Sequence, residues 1–269
     1  MKYRQQTKKK IDQTFKSLTN FLEDIAKQFS SIGDLTHKLE MLEQDPEYSK
    51  LSSSVATSVV NMQRRDDARG WREAAKHSTR GKLIYQYLKK EFGTNQPFQE
   101  LIDQSADLIR TLPHHISTKV VKKVQEMTLK GERQDVIAKT IRTMFPSYTR
   151  ASARLIARTQ VSKTLTAITT IRAQNVGVKF YIWRTVGGPL VRDSHRHMNG
   201  VVIPFDQDPS PEALIGKENK GYYKPGGIYN CRCYMETVLD TDQIKFPAKV
   251  YWRGRIERMS KRRFNELTN

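Results

Sequence analysis

Cysteine is almost missing from this chain: there are two in 269 residues, two positions apart. That excludes a disulfide scaffold and fits a reducing compartment. No run approaches the roughly 20 apolar residues of a membrane span. The start, MKYRQQTKKKIDQ, lacks an apolar stretch after its basic residues, so no secretory signal is read there. A cytoplasm is the expected place of synthesis and use. The GxSxG elbow, the P-loop, GxGxxG and HExxH are all absent. Acid is scarce as well, with 28 Asp and Glu against 47 Lys and Arg, a net charge of +19. Such a field attracts polyanions, nucleic acid first and acidic membrane or protein second.

What the chain does have is helical periodicity. Apolar residues make up 37%, enough for helices that bury one stripe each. Residues 1–10 read as a frayed basic arm. Ile11, Phe15, Leu18, Leu22, Ile25 and Phe29 follow in steps of four and three, the seam of a coiled coil or helical hairpin. Gly33-Asp34 breaks that run, with Asp34 as a cap, and Pro46 opens a further helical stretch to about Phe92. Gly93-Thr94-Asn95 stops it, and another helix runs from near Pro97 to Leu112-Pro113. Helix faces then appear over 114–129, 133–145 and 148–175, the last two divided at Pro146. Arg150, Arg154 and Arg158, four apart, line one face and are candidates to contact nucleic acid or an acidic partner.

After Gly177 the period shortens to that of strands, over 178–185, 201–203 and 230–237, with a polar loop or lid at 206–225. A last basic helix is expected from Arg253, carrying Arg258, Arg262 and Arg263 as further contact candidates. The expected fold is α+β: a mostly helical amino-terminal two-thirds and a small, few-stranded α+β carboxy-terminal module. The expected segments are 1–112, 113–240 and 241–269.

The chemistry-bearing residues concentrate between Tyr181 and Cys233. Cys231 and Cys233, read as i and i+2 of one strand, point to one side. With His195 and His197 they form a candidate zinc set, although CxC is not the usual CxxC knuckle. Ser194 and His195, read as strand neighbours, face opposite ways and make no nucleophile–base pair. A structural reading explains more. Arg192, Asp193 and His195 tie their loop to Cys231, Arg232 and Cys233, closing a module with too few strands to stand alone.

Ala157-Arg158-Thr159-Gln160, Tyr181-Ile182-Trp183-Arg184-Thr185, Val191-Arg192-Asp193-Ser194-His195, Met198-Asn199-Gly200-Val201 and Asn230-Cys231-Arg232-Cys233 occur in that order. The set, spanning about 119–238, resembles the Mu F-like head-morphogenesis proteins of tailed phages, also called minor capsid or minor head proteins. The resemblance implies a non-enzymatic virion protein of the capsid interior, present in the host cytoplasm during assembly. Its implied partners are the portal protein, the major capsid or scaffolding protein, and phage DNA during packaging or ejection. No membrane partner and no obligatory cofactor are implied. His195, Asn199, Gly200, Cys231 and Cys233 are carried over as motif positions. The chain departs from the family pattern at Gln160, usually Glu, and at Gly188-Pro189-Leu190, where Asp and Arg are common. It also lacks the additional Cys or His that some relatives carry near Arg192 and Ile228, which weighs against zinc. The alternative readings are a basic nucleic-acid-binding protein with a Cys/His metal-stabilised module and, behind it, a metal-dependent nuclease.

Overall fold

A computed structural model describes residues 2–91 and 96–268, and the side chains of 9–91 and 98–268. The chain is α+β, mainly helical, with a five-stranded mixed sheet near its carboxy-terminal end. Helices α1 (Lys2–Lys27), α2 (Ile32–Met41), α3 (Pro46–Ala75), α4 (Gly81–Glu91), α5 (Gln96–Arg110), α6 (Leu112–Leu129) and α7 (Gln134–Asn175) come first. They are followed by β1 (Phe180–Arg184), α8 (Asp193–Met198), β2 (Val202–Pro204), β3 (Tyr234–Val238), β4 (Ala248–Trp252), β5 (Arg255–Met259) and α9 (Lys261–Thr268). No helix among the described residues is long and apolar enough to cross a membrane.

Two compact units form: Met1–Gln63 with Phe98–Gln160, and Arg64–Pro97 with Val161–Asn269. They interleave in sequence because α3 and α7 each supply residues to both, whereas the segments read from composition are contiguous.

In the first unit α1 buries Ile11, Phe15, Leu18 and Leu22 of the seam that the four-three spacing predicts, while Ile25 is half-buried and Phe29 is buried just past the helix end. Helix α1 begins at Lys2, inside the segment expected to be a frayed arm. The side chains of that arm through Lys8, and the stop at Gly93-Thr94-Asn95, lie outside the described residues. The cap of α2 is Ser31, not Asp34: Ser31 Oγ accepts from Asp34 N at 3.1 Å, while Asp34 Oδ2 accepts from Ser30 N at 2.9 Å. Pro46 opens α3 as expected, and Asp45 Oδ1 accepts from Tyr48 N at 2.7 Å. Pro113 starts α6 instead of only ending α5. The expected break at Pro146 does not occur, and α7 runs through it. Proline forfeits one backbone bond and crowds the preceding turn. Here Ile141 and Phe145 before it, and Thr149, Ser152 and Ile156 after it, are all buried, so packing on both sides holds the helix together.

In the second unit the sheet order is β3-β1-β2-β4-β5. Strand β1 pairs antiparallel with both β2 and β3, β2 pairs parallel with β4 through Val202↔Val250, and β4 and β5 form a hairpin. The hairpin corrects the expected tail helix. Arg253 and Gly254 have φ of 47° and 86°, a two-residue loop of the kind that joins twisted antiparallel strands. Arg255 and Arg258 therefore sit on β5, and α9 begins only at Lys261. The third expected strand is likewise shorter, beginning at Tyr234 and not at Asn230.

A buried ion network joins the helices of this unit. Arg172 on α7 is 0% exposed. It donates from Nε and Nη2 to the Glu91 carboxylate at 2.8 and 2.7 Å, from Nη1 to Asp67 at 2.6 Å, and from Nη2 to the Arg64 carbonyl at 2.9 Å. Arg64 donates in turn to the Glu91 carbonyl at 3.1 Å. Breaking a buried pair from one side leaves a charge uncompensated. Glu91→Leu is therefore expected to destabilise this unit by about 3–5 kcal/mol. A lowered urea midpoint by circular dichroism would register the loss, and an unchanged midpoint would contradict it.

Candidate functional site

The site forms where β1, α8 and the irregular chain before β3 meet. Gly200, at φ 83°, donates its N–H to the Trp183 carbonyl at 2.8 Å, and Asn199 Oδ1 accepts from Thr185 N at 3.0 Å. These two bonds hold the end of α8 against the end of β1. Helix α8 turns Ser194, His195 and Met198 inward and leaves Arg196 and His197 exposed. On the other side Asn230, at φ 56°, reverses the chain, a conformation that Asn tolerates better than most residues. Cys231 N then donates to Ile228 O at 3.2 Å, and Ser162 Oγ of α7 donates to Cys231 O at 2.7 Å. Both cysteines thus precede β3, and their common direction comes from this tethered turn and not from a strand ladder.

His195 and the two thiols come together in the interior, at 2%, 2% and 6% exposure for His195, Cys231 and Cys233. His195 Nδ1 lies 3.5 Å from Cys231 Sγ and 3.4 Å from Cys233 Sγ. The edge of His195 meets the Trp183 ring at 5.5 Å between centroids and 75° between planes. At its far side Nε2 lies 3.0 Å from Tyr223 Oη, which donates to Glu212 Oε2 at 2.6 Å. Ser194 Oγ donates to Glu212 Oε1 at 2.9 Å. Ser194 and His195 are thus helix neighbours, and the serine engages Glu212. The sequence reading took them as strand neighbours facing opposite ways, whereas on α8 both turn inward.

The electrostatics follow from that packing. Hydrogen bonding from the Cys233 thiol is the largest influence on Cys231 and, with the His195 contact, brings it down to about 4 against the opposing effect of burial. Cys233 is pushed up by the same bond and by burial, while the Trp183 indole and Arg192 act the other way. Burial works most strongly against the Glu212 carboxylate, yet its bonds from Tyr223 and Ser194 hold it below the usual range. Burial and then Glu212 raise the Tyr223 phenol. Ser194, His195, Glu212 and Tyr223 are thus paired with one another, as a water-poor interior favours.

The other sequence candidates fall into separate groups. Arg192 Nη2 donates to the Tyr229 carbonyl at 3.0 Å, tying its loop to the turn before Cys231. Asp193 makes only exposed ion pairs, with Arg196 at 3.6 Å and Lys217 at 3.7 Å, and Arg232 is exposed. His197 is not among the clustered donors, which are His195, Cys231 and Cys233 with ligand atoms within 4.8 Å of one another. Arg150, Arg154 and Arg158 are exposed on α7, with Arg150 3.4 Å from Glu23. Arg258 is exposed on β5, and Arg262 and Arg263 pair with Glu266 of α9 at 3.0 and 3.8 Å. Gln160 is buried and hydrogen-bonds Ser105 as a neutral amide. Sequence reasoning missed Glu212, Tyr223 and Ser162. They lie 11 to 69 positions from the groups they bind, and no periodic pattern marks them.

Residues 116–236 match the family model described as Phage Mu protein F like protein. A relative from Haemophilus influenzae, described as an uncharacterized protein, is 28% identical over 258 residues, 90% of this chain and 53% of the relative. The chain therefore spans about half the length of that curated relative. No solved structure matches.

Gly226 brings the irregular chain close against α7. It has φ 86°, and an added Cβ would lie 2.6 Å from Thr166 Oγ1, 3.0 Å from the Ser162 carbonyl and 3.2 Å from the Cys233 carbonyl. Both the left-handed backbone and the carbonyl walls oppose a side chain. Gly226→Ala is expected to destabilise the segment by about 1–3 kcal/mol. Faster limited proteolysis within 206–233 would reveal it, and wild-type resistance would argue against the close approach.

Proposed function

We propose, on the premise that residues 116–236 form a Phage Mu protein F-like segment, that this chain is a phage minor head protein. It acts in procapsid assembly from the capsid interior, docking on the portal protein and lying beside the major capsid or scaffolding protein. The family match carries this reading. The arrangement of the site supports it: the reactive groups of the motif, His195, Cys231 and Cys233, face one another in the interior and not an open cleft. Groups so placed hold a module in shape, and a docking role needs no turnover.

Contact with packaged DNA is the finer part of the proposal. It is favoured by the net charge of +19 and by the exposed Arg150, Arg154 and Arg158 on one helix. A phosphate-tracking surface works through sequence-independent charge neutralisation. It would let the protein lie against packaged DNA without recognising a sequence.

Two measurements separate these parts. Co-expression with the portal protein of the same phage should give a complex that survives size-exclusion chromatography. Two separate peaks at micromolar concentration would count against docking. Binding to duplex DNA by fluorescence anisotropy should weaken steeply with salt. Replacing Arg150, Arg154 and Arg158 together by Ala should reduce the magnitude of the log–log slope by about 2.7 if each contacts a phosphate. An unchanged slope would remove this face from the interface.

A further inference from the structure

The bonds around His195 select its tautomer. The hydroxyl proton of Tyr223 is used toward Glu212 Oε2 at 2.6 Å, so the Tyr223 oxygen is left to accept. The group it faces is His195 Nε2, at 3.0 Å. A proton on Nε2 satisfies that contact and leaves Nδ1 with a lone pair. That lone pair points between two sulfurs at nearly equal distances, 3.5 and 3.4 Å. One lone pair accepts one hydrogen well, so a thiol hydrogen bond accounts for one sulfur at a time. A single centre bonded to all three atoms accounts for both. Zinc–sulfur bonds of about 2.3 Å and a zinc–nitrogen bond of about 2.0 Å at tetrahedral angles place nitrogen and sulfur roughly 3.5 Å apart.

We propose that His195 Nδ1, Cys231 Sγ and Cys233 Sγ bind one Zn2+ ion, and that Tyr223 and Glu212 position the imidazole for it. The donor set is Cys2His, and the three side chains leave the fourth position of a tetrahedron to a non-protein ligand such as water. On binding, the thiol protons pass to solvent and the sulfurs bind as thiolates. The Glu212–Tyr223–His195 chain is the outer-shell arrangement that fixes ring orientation at metal-bound histidines, here with a phenol between carboxylate and ring. His197, two residues from His195, takes no part because α8 turns it outward. The ion would join α8 to the chain before β3 and, through Ser162, to α7. This inference is independent of the head-assembly reading, since an ion tying α8 to the chain before β3 would serve a docking module and a nucleic-acid-binding module alike.

The test uses the full chain, purified reduced and free of any affinity tag that binds metal. Elemental analysis should find about one zinc per chain. Replacement by Co2+ should give a thiolate-to-cobalt charge-transfer band in the near ultraviolet and the strong visible bands of tetrahedral cobalt. Cys231→Ser and Cys233→Ser should each remove the charge-transfer intensity of one thiolate, and His197→Ala should leave the spectrum and the metal content unchanged. Tyr223→Phe should keep the spectrum but lower zinc affinity about 10- to 100-fold in competition with a chromophoric chelator. A folded, reduced chain that retains no zinc and gives no cobalt charge-transfer band overturns the site. Loss of metal in His197→Ala overturns the donor assignment. Wild-type affinity in Tyr223→Phe overturns the positioning role, and this variant remains informative even where a cysteine variant fails to fold.

Discussion

The second unit depends on a guanidinium removed from water. Arg172 is fully buried, and its carboxylate partner Glu91 is 2% exposed. A charge in that position is tolerated only when its donors are met by acceptors of opposite sign and good geometry. Arg172 meets the condition with a bidentate contact to Glu91, a bond to Asp67 and a bond to the Arg64 carbonyl. Three helices are fixed by one side chain, because Asp67 and Arg64 lie on α3, Glu91 ends α4 and Arg172 is in the last turn of α7. Burial opposes the charged guanidinium, but its two carboxylates more than offset that. The direction of the last turn of α7 sets how the chain leaves through Gly177 into β1, the strand beside which the His195 site is built. Arg80 repeats the device close by, donating to the Val176 carbonyl at 3.0 Å and the Leu239 carbonyl at 3.1 Å.

A related constraint acts on the segment between β2 and β3. It contains little regular structure, so its polar backbone must find partners elsewhere. Side chains supply them. Ser162 and Thr166, one turn apart on α7, donate to the carbonyls of Cys231 and Pro225 at 2.7 and 2.5 Å, and Arg192 donates to the carbonyl of Tyr229. Glu212 serves the interior side, collecting the hydroxyls of Ser194 and Tyr223. What reads in the sequence as a polar lid over 206–225 is therefore a strapped segment. Part of its polarity faces partners within the unit, with Ser210 and Glu212 both buried, while Lys217, Glu218 and Lys220 are exposed.

This explains which features were legible in the sequence. Helix faces were, because a stripe at helical spacing has one physical use: Ile11, Phe15, Leu18 and Leu22 are buried as the spacing requires. Pro46 and the stop after Asn175 are local chemistry and fall where read. Three features were missed, two of them because tertiary packing overrides local rules. Pro146 does not interrupt a helix buried on both sides of it. The tail was read from the run of cations between Arg253 and Arg263, while the signal that decides is the Arg253-Gly254 pair between two β-prone runs. Arg172 carries no local mark of burial, though it meets two carboxylates in the interior. Its neighbours in sequence resemble those of Arg158, and only the distant Asp67 and Glu91 distinguish them. The His195–Cys231–Cys233 grouping could be anticipated as residue types, but not Tyr223 or Glu212, whose role arises from chain reversal at Asn230 and Gly226.

Charge in the second unit is sorted by depth, and that sorting bears on function. Two carboxylates, Glu91 and Glu212, are buried with partners. The cations, apart from Arg64 and Arg172, are largely outward, as with Arg255, Arg258, Arg262 and Arg263 on β5 and α9. Acid drawn inward cannot screen the surface as exposed acid does. The two cations buried beside it, Arg64 and Arg172, are withdrawn as well, so the field felt by an approaching partner follows the formal balance of 47 cations and 28 acids. A surface of that kind, on a module whose reactive side chains are turned to its own interior, is suited to holding a polyanion or an acidic protein face. The same burial that places His195 and the thiols in the interior lets them act on one another, and so determines the geometry of the module that carries the surface.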